Sequence, residues 1–374
     1  MNPRPLLSLL LAFLLALLLA GLAAAGGSGP AAAPRLAPPA PLNITFDSDV
    51  WSVAVQDNYA FVGLEKGGVT ILDITNPLHP TVVSTFDDPD SYGLYYVDDL
   101  IPNGDILVIP VGSVFYIVDI GDITHPSWLS YRHPAAYELK AMALYDRLAY
   151  GLGRDSFEIW DLQDPSSPQL LYSMRDQYHR IFADMHKIAV ARNPADGRIY
   201  VYMTGEPLCF HDCVGNGLVF MDVTDPSRPQ TVYTSRDTGR TLAAQGEYLY
   251  WSEFYGDVVT FQLTNPQEPT TLSRFNLQGF MATDMEIAQN RLYLALGHGD
   301  HGKVQVLDVS DKASPATVAF YDDVQHWMSL AYSEETGCLF VAELSRGLRI
   351  LCDINANPQP PALVWLPLIE SRDS

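Results

Sequence analysis

Three groups of residues in this 374-residue chain carry side chains able to do chemistry. His298, Asp300 and His301 stand in the run LGHGDHGK, where glycines free the backbone and two imidazoles with a carboxylate match the donor set of a divalent metal ion. The same run also reads as a flexible polar loop. In EPLCFHDCVGNG, His211 lies between Cys209 and Cys213, so a three-ligand metal cluster and a small disulfide loop are both open. The spacing is tighter than that of the usual zinc sites. The third group is scattered along the chain: Asp49, Glu138, Asp184, His186, Arg240, Asp284, Glu286 and His326, with Trp51, Lys140 and Gln325 as alternates and Tyr92 at the corresponding position of the second repeat. These can act together only if the fold converges them.

An internal repeat supplies that convergence. One pattern occurs seven times: an alternating apolar run, an acidic residue, and a proline seven positions later, as in GGVTILDITNPLHP (67–80) and NGLVFMDVTDPSRP (216–229). The anchors are Asp73, Asp119, Asp161, Asp222, Gln262, Asp308 and Asp353, at spacings of 46, 42, 61, 40, 46 and 45 residues. Alternation with β-branched residues is the period of a strand on a half-buried pleated surface. Three residues beyond each anchor an Asn or Asp, in most copies followed by proline, starts a turn, because its short side chain caps backbone N–H groups while proline presets φ. The last copy, with Ala356, departs.

A further strand-like stretch follows the proline seven positions beyond the anchor in every copy (TVVSTF, SWLSYR, QLLYSM, QTVYTS, TTLSRF, ATVAFY, ALVWLP), and two more precede the next anchor. Four strands in each repeat of this length predict an all-β chain folded as a seven-bladed β-propeller of four-stranded antiparallel blades over 42–370. Either NITF (43–46) or the C-terminal ALVWLP completes the closing blade. Antiparallel pairing about a turn near 345–347 brings Cys338 opposite Cys352, which predicts a cross-strand disulfide.

The anchor pattern, clearest in VLDVSDKASP and FMDVTDPSRP, resembles the LVIVD-repeat family of exported bacterial and archaeal propeller-like proteins. The resemblance implies the same fold and an extracytoplasmic location, and adds little about activity. Gln262 at the fifth anchor and the loss of Asp-Pro in the second, sixth and seventh copies depart from the pattern.

In such a ring the scattered polar group falls at the starts of the innermost strands, near one mouth of the channel. Two histidines with several carboxylates there match a metal or small-ligand site, while a polar channel whose residues satisfy one another is the alternative. No nucleophile elbow, phosphate loop or zinc-protease helix motif is present.

Residues 1–25 read as a signal peptide: Arg4 precedes an apolar run from Leu6, and Ala23-Ala24-Ala25 offers a cleavage site. An uncleaved segment of this length would tether the chain to a membrane. Residues 26–41 form a Pro/Ala/Gly-rich linker. The formal charge of -22 repels phosphate backbones, which argues against nucleic acid as a partner. The expectation is a secreted or cell-surface monomer, a non-enzymatic binding or scaffold propeller for a protein or small-molecule ligand. No cofactor is expected beyond a divalent metal ion. The alternative is a metal-dependent enzyme with its site at the channel mouth.

Overall fold

The computed structural model describes residues 42–363, apart from 88–93, 135–138, 154–155, 176–183, 207–215, 255, 299–300, 325–328 and 353–361. Six consecutive four-stranded antiparallel meanders span Val50–Phe86, Ile101–Arg132, Leu139–Arg175, Asp184–Ser235, Gly239–Asn276 and Met281–Val324. A seventh contains Ser329–Ser333, Cys338–Ala342 and Leu348–Leu351. The chain is a seven-bladed β-propeller. The first strand of each blade packs against the first strand of the next, and Ser329–Ser333 packs against Val50–Gln56, which closes the ring.

Burial follows from this stacking. The second and third strands of a blade are covered on both faces by neighbouring blades, so runs such as Ala60–Leu64 and Phe157–Trp160 are buried without alternation. The fourth strands of the first and fourth blades instead mix exposed and half-buried residues. Seven apolar clusters form among the described residues, one at each junction between adjacent blades. The junction of the seventh blade with the first holds Phe340 and Ile350 against Val62 and Leu72. The core is therefore a ring of seams.

The repeated polar residues shape the turns. Asp73, Asp119, Asp161, Asp222 and Asp308 each accept through Oδ1 the backbone N–H two residues on, at 2.8–3.0 Å. Asn76, Asp122, Asp164, Asp225, Asn265 and Asp311 cap the N–H two residues on in the following turn, at 3.0–3.2 Å. Serines on the fourth strands reach the next blade: Ser84 donates to the Ile123 carbonyl, Ser130 to that of Pro165 and Ser273 to that of Lys312.

The N-terminal strand supplies the closing piece. Leu42–Ile44 pairs antiparallel with Leu348–Leu351 as the fourth strand of the seventh blade, and Ala362–Leu363 adds a fifth strand parallel to it. Of the two terminal strands, then, the N-terminal one completes the blade and the C-terminal one extends its edge. Asn43 Nδ2 donates to the Arg346 carbonyl at 2.9 Å. Opposite Asn43 in the strand pair, buried Arg349 grips Glu343 with two contacts of 2.6 and 3.1 Å. Cys338 and Cys352 form the cross-strand disulfide. Cys209 and Cys213 lie outside the described residues.

Candidate ligand site at the channel mouth

A β-bulge recurs at the head of the innermost strand. Register shifts between Val50 and Ser52, Leu139 and Ala141, Met185 and Lys187, Gly239 and Thr241, and Ala282 and Asp284 leave one extra residue in each of five blades. The extra residues are Trp51, Lys140, His186, Arg240 and Thr283, and all five line one cavity of about 600 Å3 at the channel mouth. A bulge inserts a residue outside the ladder and re-aims its side chain, so the same local defect repeated around a ring builds a tier of side chains facing one opening. Close packing holds the tier. A Cβ at Gly239 would collide with the Trp251 indole and Thr204, whose side chains are hydrogen-bonded to each other at 2.7 Å.

The second blade breaks the symmetry. Its first strand is only Ile101–Asn103, and Pro102, which lacks an N–H, stands within it. The preceding residues 94–100 lie instead against the first blade: Tyr96 and Val97 donate backbone N–H groups to Glu65 and Leu64, and Ser52 Oγ donates to the Val97 carbonyl at 2.5 Å. Leu94, Val97 and Leu100 are buried while Tyr96 is half exposed. This places Asp98 and Asp99 on the cavity wall. The Tyr96 ring meets Trp51 edge to face, with centroids 5.2 Å apart.

Below the mouth lies an ionic floor. Lys187 Nζ donates to Asp284 Oδ1 at 2.8 Å, and the second Asp284 oxygen accepts the Leu330 N–H at 2.9 Å, joining three blades. Asp284 is only 11 % exposed. Lys187, Asp99, Asp284 and Ser329 line both the mouth cavity and a second cavity of about 380 Å3 deeper in the channel. There the inward positions are small: Ala54, Ala189, Ala243 and Ala331 line the wall, and the sixth blade places Glu286 among them. Burial pushes the Glu286 carboxyl up to about 7, with Asp284 adding to the rise against the pull of Lys187. Burial likewise raises Asp99 to about 6, opposed by Lys187. For Lys187 burial works downward, but the carboxylates of Asp284, Asp99 and Glu286 outweigh it, so the ammonium is held in its charged form.

Of the residues singled out in the sequence, His186, Arg240 and Asp284 meet at the mouth. Glu286 lies in the deeper cavity. Asp49 is not among the residues lining the mouth; Trp51, its alternate, takes the place in the first blade, as Lys140 does in the third. Glu138, His326, Gln325 and Tyr92 lie outside the described residues, and so does the side chain of Asp184. His186 Nε2 stands 3.5 Å from Glu206 Oε1. His298 and His301 face each other at the end of a β-hairpin rather than in an open loop, and both are exposed; Asp300 lies outside the described residues. Among the described residues no group of three or more His, Cys, Asp or Glu is placed to hold a metal ion.

Sequence reading missed Lys187, Asp98, Asp99, Glu206 and Thr283. The bulge explains Lys187 and Thr283: one inserted residue makes neighbours i and i+1 both face the channel, which strict alternation forbids. For Asp98 and Asp99 a signal existed, because Pro102-Asn103-Gly104 marks the second blade's first strand as short.

Residues 47–88 and 281–323, in the first and sixth blades, match the LVIVD repeat. The chain carries LVIVD repeats. A comparison with curated proteins finds no sequence match. Among solved structures, the chain is similar to a chain of the mitotic checkpoint complex, with 12 % identity and a TM-score of 0.61 over 87 % of this chain and 97 % of that one. It is similar to Sqt1 of Saccharomyces cerevisiae, with 10 % identity and a TM-score of 0.55 over 85 % and 100 %. The computationally designed Ika8 protein is also similar, with 14 % identity and a TM-score of 0.54 over 84 % and 99 %. At these identities the likeness is one of fold alone, so function has to be argued from the site.

Proposed function

We propose that this LVIVD-repeat propeller is an extracytoplasmic, non-enzymatic binding protein whose ligand site is the channel mouth. The observation that carries the reading is the bulged tier: five blades each turn one side chain toward a single cavity of about 600 Å3. That volume falls within the range of small-ligand pockets, roughly 300–1,000 Å3. Aromatic, cationic and acidic groups converge there on a rigid frame, which suits selective binding. The Cys338–Cys352 disulfide and the apolar leader support a location outside the cytoplasm.

A thermal-shift screen of small molecules and short peptides against the purified protein tests the site. The expected result is a ligand whose stabilisation disappears in Trp51→Ala while the unliganded melting curve stays cooperative. Ligands that stabilise wild type and Trp51→Ala alike, or none across the screen, would overturn the assignment. Fractionation of cells expressing the full chain tests location, and a cytoplasmic product would refute that part.

A further inference from the structure

The charges at the mouth are unevenly placed around the ring, with Glu206 set beside His186 on the side where the basic groups gather. Trp51 on the first blade and Asp98 ahead of the second form an aromatic and acidic arc, with Tyr96 packed edge to face on the Trp51 ring. The bulged residues of the next three blades, Lys140, His186 and Arg240, form a basic one. The protein as a whole has 44 acidic and 22 basic residues, two to one. The mouth is lined by four carboxylates, Asp98, Asp99, Glu206 and Asp284, against Lys140, Lys187 and Arg240 with His186 beside them. The opening is thus enriched in basic groups relative to the rest of the molecule, and it is polarised across its width.

We propose that the mouth binds a small zwitterion of amino-acid or dipeptide size, its ammonium in the arc of Trp51 and Asp98 and its carboxylate toward Lys140 and Arg240. The inference deepens the binding reading above and rests on it. A ligand of one sign would face an opposed arc on the far side of the cavity, whereas a zwitterion matches both. An indole face and a carboxylate are the two protein groups that favour an ammonium. On the other side, the Arg240 guanidinium lies 5.4 Å from the Phe254 ring centre, which orients it. Its five N–H donors exceed what one partner occupies, so a carboxylate can be added to its existing contacts. The floor of Lys187 and Asp284 is already paired at 2.8 Å and closes the cavity beneath the ligand without taking either end of it.

The test uses one side chain in three charge forms. Isothermal titration of the full propeller compares alanyl-phenylalanine with N-acetyl-alanyl-phenylalanine, which lacks the ammonium, and alanyl-phenylalanine amide, which lacks the carboxylate. Blocking either end is expected to weaken binding about tenfold or more, in line with the loss of one charge-assisted contact. Asp98→Asn should erase the preference over the acetylated form alone, and Arg240→Gln the preference over the amide alone, with cooperative melting kept in both. Equal affinity for the three forms overturns the proposal, as does tighter binding of a blocked form. Absence of binding by all three also overturns it, and the thermal screen then decides separately whether the mouth binds some other ligand.

Discussion

Glu286 offers the sharpest test of the channel's electrostatics. It projects among alanines from neighbouring blades, and burial raises its carboxyl from the ordinary 4.5 to about 7. Between these values the unfolded chain has released the proton and the folded one keeps it. Stability from this group is therefore complete below pH 4.5 and is lost as pH rises through 7. The slope is about 1.4 kcal/mol per pH unit across that window. Integrated, it comes to on the order of 2–3 kcal/mol after solvent screening in the adjoining cavity is allowed for. Glu286→Gln keeps the shape and removes the titration. Denaturant unfolding of both proteins from pH 4.5 to 8 should show equal stability at the acid end and a more stable variant at pH 8. Asp99 titrates with the same sign but is present in both proteins, so it cancels in the comparison. A gap that stays constant over this range, or that widens toward low pH, would refute the argument.

Other consequences follow from the ionic floor, the disulfide and the repeat. Lys187→Met leaves nearly buried Asp284 without its cation and should cost roughly 1–3 kcal/mol in urea unfolding, less than for a fully buried pair because Lys187 is partly exposed; adding Asp284→Asn should recover part of it. Reduction of Cys338–Cys352, 14 residues apart, should destabilise the protein by about 3 kcal/mol, and reductant should leave the melting of a Cys338→Ser, Cys352→Ser variant unchanged. Restoring the anchor with Gln262→Asp offers the Thr264 N–H the cap its counterparts receive. A gain of about 0.5–1 kcal/mol in denaturant unfolding is expected, and a loss would contradict the capping role.

Much of the scaffold was legible because it is local and repeated. Alternating residues before each anchor mark one strand, the Asx residues cap N–H groups two positions on, and prolines at a fixed offset punctuate the turns. Seven copies made the ring, and hairpin geometry paired Cys338 with Cys352. The candidate site was only partly legible. His186, Arg240 and Asp284 were singled out, yet the choice between Asp49 and Trp51 stayed open because a period of two offers both.

What the sequence alone determined is the repeating unit, its strand content and the positions of its turns, since these depend on neighbours within a few residues. Which side chains share the channel mouth was decided by tertiary structure. A bulge adds one residue to each ladder and shifts the parity of everything before it, and whether it forms depends on the fit between adjacent strands. The second blade shows the same dependence over a longer range: residues 94–100 dock on the first blade through Leu64, Glu65 and Ser52, and so carry Asp98 and Asp99 into the opening. Those partners lie some 30 to 45 residues away in the chain, beyond the reach of any local pattern.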